Sequence, residues 1–137
     1  MSAIPASRAF RYLATLSAFL FFGIAATWLL TPATMLAGWG VPFDGESIGV
    51  VGRRAAPLYA AIGVMLYWVR KAPPSEGRTA VVAGFIVACL SLAMLGGVEW
   101  AAGRVSSGIA PAIVLEVGLS IAFILVVCND HKQARQR

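Results

Sequence analysis

Charged residues are scarce in this chain. They make up 12% of its 137 residues while 59% are hydrophobic, whereas a soluble domain usually carries about 25% charged residues. This excludes an ordinary water-soluble domain and makes lipid the expected solvent. Histidine is almost missing. The single His131 falls beyond the last apolar run, so it cannot supply half of a haem pair or a metal cluster inside a bilayer. Met65, Met94 and Cys89 are soft ligands scattered over two apolar runs and read as core filler rather than a copper site. No phosphate loop is present, and no metal, cofactor or catalytic residue is expected. The two cysteines, Cys89 and Cys128, fall at different depths of different runs. They differ by roughly 15 Å along a helix axis, too far for the Cα separation of about 4.4–6.8 Å that a disulfide needs.

What is present is a series of long apolar runs. Residues 12–30 carry no charge, and about 20 helical residues cross a 30 Å hydrocarbon core. Arg8 and Arg11 before this run, with Ala25 and Ala26 near its end, also fit a signal peptide. The apolar stretch is longer than a signal core of about 7–15 residues, however, so a retained helix is expected. Residues 79–103 and 106–128 are similarly long, each interrupted by one glutamate. The remaining run is weaker, because residues 55–69 cover only about 22 Å as helix. Starting that helix near residue 50 makes it long enough but draws Arg53 and Arg54 inside, with Pro57 opposing the carbonyl of Arg53. Alternatively Pro57 opens a short helix. The expected fold is therefore all-α: a single-domain, antiparallel four-helix membrane bundle with helices at about 12–30, 50–69, 79–103 and 106–128.

Basic residues orient it. Arg8, Arg11, Arg70, Lys71, Arg78, Lys132, Arg135 and Arg137 fall on one side and only Arg53, Arg54 and Arg104 on the other, which predicts both termini inside. Tyr12, Tyr67 and Trp68 at one boundary and Trp28, Trp39 and Trp100 at the other form matching aromatic belts. The net charge of +5 is thus spread over membrane anchors rather than a nucleic-acid face, and nucleic acid is excluded as a partner. Lys132, Arg135 and Arg137 are expected to hold the last helix against anionic headgroups. Short links at 70–78 and 104–106 predict that the second, third and fourth helices are antiparallel neighbours. Residues 31–49 form the one long loop, rich in Gly and Pro but carrying Trp39 and Phe43. It reads either as a segment lying on the outer membrane surface, with a short helix over 32–38, or as an irregular loop. Small residues at Ala56 and Ala60, at Ala80, Gly84 and Ala88, and at Gly118 and Ala122 mark candidate packing seams.

Function is sought in the charges a bilayer disfavours. Glu116 falls near the middle of its run, where an acid costs about 2.5–3.5 kcal/mol on insertion scales and must face inward, pair or take up a proton. Glu99 lies one turn from the outer end of the third run, and Arg53 and Arg54 near the outer end of the second. A paired polar cluster of Arg53 or Arg54 with Glu99 and Glu116 is expected. The alternative is that Glu99 and the arginines only snorkel to the interface.

Two four-helix membrane families invite comparison and fail it. The enzymes of glutathione and eicosanoid metabolism rely on an asparagine in the second helix, whereas the only asparagine here is Asn129. The small multidrug exporters place their glutamate in the first helix, which here is uncharged. The runs LLTPATMLAGWGVPFDG and GRRAAPLYAAIGVMLYW resemble small bacterial membrane proteins of the DoxX-like kind, over about a third of the chain. The resemblance implies a four-helix protein of the bacterial inner membrane, and an accessory role beside quinone-linked oxidoreductases. The leading expectation is a non-catalytic accessory subunit or a binder of an apolar molecule such as lipid or quinone. Its partners would be the bilayer, other membrane subunits or further copies of itself. A proton-coupled transporter or channel component using Glu116 comes second, and a four-helix membrane enzyme third.

Overall fold

The computed structural model describes residues 6–135. Among these, α1 spans Arg8–Leu30, α2 Pro32–Gly38, α3 Glu46–Val69, α4 Glu76–Ala101 and α5 Ala110–Arg135, with a 3-10 turn at Ser107–Ile109 leading into α5. No strand occurs among the described residues.

Each boundary has a local cause. The Ser7 hydroxyl accepts the Phe10 N–H at 3.1 Å and the Ser75 hydroxyl accepts the Arg78 N–H at 3.3 Å, so both helices that start at this end are side-chain capped. Pro32 opens α2, where its missing N–H costs nothing. The chain leaves α4 through Gly103 at φ +71°, a left-handed conformation that favours glycine.

α1 buries Phe10, Ala14, Ser17, Ala18, Phe21, Ala25 and Trp28, one continuous stripe at three- and four-residue spacing. The facing stripe of α3 is mostly small, at Gly49, Gly52, Ala56 and Gly63 before Leu66 and Val69. The backbones therefore approach closely: a Cβ at Gly52 would lie 2.9 Å from the Trp28 ring, and one at Gly63 2.8 Å from Phe22. α4 packs along α5, with Gly96 against Ile109 and Ile113. Contacts between the α1–α3 pair and the α4–α5 pair are sparse.

Several expectations are corrected. α3 takes α1, not α4, as its main neighbour, because its glycine face admits the bulky α1 side chains. The seam of α4 runs through Val82, Phe85, Cys89, Ala93 and Gly96, while Ala80 and Gly84 are exposed. α1, α4 and the stretch Ser107–Lys132 are long and apolar enough to cross a membrane. α3 has the length but not the composition, since Glu46, Arg53, Arg54 and Pro57 all fall in its first half. α5 continues past the apolar run, so Asp130 and His131 lie on a helix rather than in a polar tail. Lys132 is exposed, while the Arg135 side chain and Arg137 lie outside the described residues.

At the end carrying both termini, all four long helices share one core. Phe10 and Phe85 each meet Phe123 edge to face, with centroids 6.1 and 5.1 Å apart, and Phe21 meets Phe85 at 5.3 Å. At the far end a separate cluster of Trp28, Leu36 and Ala56 joins α1, α2 and α3 alone.

Candidate functional site

Because the shared core ends at the Phe21–Phe85 layer, a space of about 230 Å³ opens above it between the two helix pairs. α1 contributes Phe21 and Trp28, α2 Met35, α3 Tyr59, α4 Leu95 and Glu99, and α5 Ile113, Leu115 and Glu116. At its far end the Ser106 N–H donates to the Trp39 carbonyl at 2.7 Å, joining the two far-end connections. Its walls are overwhelmingly apolar. Leu95 and Leu115 line it and are also exposed on the outer surface, so they mark its rim.

Two carboxylates, a phenol and two indoles interrupt the apolar lining. Glu116 is half-buried on the α5 wall, and its backbone carbonyl accepts the Ser120 hydroxyl at 2.8 Å. No hydrogen bond or ion pair holds its carboxylate among the described residues. Glu99 lies higher on the α4 wall and is occupied by Arg104, Nε to Oε2 at 2.5 Å and Nη2 to Oε1 at 3.1 Å. That two-pronged contact holds the Arg104 guanidinium above its usual pKa, first through the hydrogen bond and then through the carboxylate charge. Tyr59 lines the α3 side. Trp28 is 8% exposed, and its Nε1–H has no acceptor. The Cε3–Cζ3 edge of this indole rests on Gly52, so the edge carrying Nε1 is turned away from α3.

The structure thus brings Glu99 and Glu116 to one cavity but leaves Arg53 and Arg54 out. Both arginines are exposed and neither lines the space. The reason is helical register: Gly52 and Ala56 face α1, and Arg53 and Arg54 follow at 100° and 200° around the helix at about 3.6 residues per turn. The Arg53 guanidinium folds back over Gly49, 3.2 Å from where a Cβ would stand, beside the Phe43 ring. The two loop aromatics part company. Trp39 turns inward, packing on Trp28 with centroids 5.8 Å apart, while Phe43 is 41% exposed.

A second polar site escaped the sequence reading. Arg78 on α4 and Asp130 on α5 form an ion pair at the termini end, with side chains only 2% and 4% exposed. Arg78 also donates to the Ala72 carbonyl at 3.4 Å and lies over the Phe10 ring, 3.8 Å from its centroid. One guanidinium therefore ties together α1, the α3–α4 link, α4 and α5. The signal was an acid placed just beyond the last apolar run, at the same end as Arg78. Among the described residues no cluster of His, Cys, Asp or Glu could hold a metal ion.

No family model, curated protein or solved structure matches this chain.

Proposed function

We propose that the chain is a four-helix integral membrane protein that binds an apolar molecule in the cavity between its two helix pairs, with both termini on the cytoplasmic side of a bacterial inner membrane. The observation that supports this best is the cavity itself: about 230 Å³, apolar over most of its wall, with its polar groups confined to a few positions. Three helices have the length and composition to span. α3 completes the bundle by packing along α1, with Arg53 and Arg54 reaching outward to the headgroup layer. The basic excess supports the orientation, and Arg8, Arg11 and Arg70 line one cleft at the termini end. An accessory role beside a larger membrane partner, as the DoxX-like resemblance implies, is compatible with the same cavity, and neither role calls for a catalytic residue.

The test uses Trp28 and Trp39, which line the cavity, against Trp68 and Trp100, which do not. Titration with a bromine-labelled lipid is expected to quench tryptophan emission with a saturable component that disappears in Trp28→Phe/Trp39→Phe. Quenching that rises without saturating in the unmodified protein overturns the reading. A second reading, a proton-coupled carrier, is favoured by one observation: Glu116 lines the cavity with its carboxylate unengaged. Uptake or efflux that Glu116→Gln abolishes without loss of protein distinguishes it.

A further inference from the structure

We infer that the cavity selects an apolar monovalent cation, an organic ammonium with an aryl or alkyl body, with Glu116 as its counter-ion. This rests on the cavity being a binding site for apolar molecules and adds the charge of the guest. The first warrant is a charge count along the wall. Two carboxylates line the space and no basic side chain does. Arg104 satisfies Glu99 through two hydrogen bonds, and the register of α3 carries Arg53 and Arg54 to the outside. Arg78, the one buried arginine among the described residues, is committed to Asp130 at the opposite end. Glu116 is therefore the single carboxylate in the cavity that nothing among the described residues neutralises, and a guest with one positive charge completes it.

The second warrant is independent of the acid. Phe21, Trp28, Trp39 and Tyr59 all line the same space. Trp28 and Trp39 meet at 60°, and Phe21 and Tyr59 at 42°, so the rings around the space are inclined to one another. Aromatic faces set at angles around an apolar space hold a quaternary ammonium through the ring quadrupole, most strongly where water is excluded. A neutral lipid tail needs neither the rings nor the acid. An anion is opposed by both.

The choice of probe separates charge from shape. Benzyltrimethylammonium and neopentylbenzene have the same outline and differ only in whether the central atom is a charged nitrogen or a carbon. Equilibrium dialysis of the intact protein in lipid nanodiscs, with empty nanodiscs subtracted, is expected to show saturable binding of one cation per chain. The neutral isostere should bind about tenfold more weakly or worse. Glu116→Gln should weaken the cation by a similar factor and leave the neutral compound unchanged. Equal binding of the two probes overturns the cation assignment while leaving the apolar-binder reading standing, and needs no variant. Saturable binding of neither probe overturns both. A cation preference that survives Glu116→Gln overturns Glu116 as the counter-ion.

Discussion

At the end that carries both termini, three phenylalanines from α1, α4 and α5 close on one another and Arg78 meets Asp130 with almost no exposure. At the far end Trp28 of α1 and Trp39 after α2 stand on one side and Glu99 of α4 and Glu116 of α5 on the other, with an open space between. The contrast teaches what charge does in each setting. Where the helices touch, the buried charges are paired and act as a clamp. Where they part, Glu116 is left unengaged and only the Glu99–Arg104 pair, at the edge, is complete. Paired buried charge and open space thus lie at opposite ends of the same helices.

The contrast breaks most severely if the clamp is cut. Asp130→Ala leaves Arg78 buried without its partner and should cost about 3–5 kcal/mol, read as reversible unfolding in mixed detergent micelles. Replacing both residues by apolar ones, Arg78→Met with Asp130→Leu, should recover most of that loss. If the single substitution has no effect, the pair is not a clamp. Next comes truncation of matched side chains at the two ends. Phe123→Ala opens a hole in a fully buried contact and should cost about 3 kcal/mol, whereas Leu115→Ala at the cavity rim should cost under about 1 kcal/mol, because lipid or a guest fills the space. Equal costs would erase the distinction. The smallest effect sharpens it: Ser17 is 1% exposed with an unpartnered hydroxyl, so Ser17→Ala should raise stability by about 1 kcal/mol in the same assay.

Much of the helical layout was readable in the residues, because uncharged runs and the proline at 32 act locally, but the cap at Ser75, which starts α4 at Glu76 rather than near residue 79, was passed over. The α3 neighbour was not readable. Short links predicted an α3–α4 contact, but the glycines at 52 and 63 make α1 the better fit, a long-range preference that link length does not encode. The far end of α5 was also obscured. Hydropathy falls at Asn129, yet the helix continues because Asp130 is held by Arg78, fifty-two residues earlier. Of the expected paired cluster, Glu99 and Glu116 line one cavity without pairing to Arg53 or Arg54. Their supposed arginine partners were misassigned because spacing gives depth but not facing, and Arg104, five residues from Glu99, was counted only as a boundary charge. The cavity had no sequence signature, since it is made by contacts that do not form.

The hydrogen bond from Ser106 to Trp39 has a kinetic consequence. By fastening the two far-end connections together beside the cavity, it would narrow the route from the aqueous phase, while the aromatic layer would narrow the route from below. The widest approach would then be sideways, past the exposed Leu95 and Leu115. A guest would arrive dissolved in the surrounding lipid rather than in water, so its rate of entry would follow its concentration in the leaflet. Diluting the protein with extra lipid would then slow its loading even at constant total ligand.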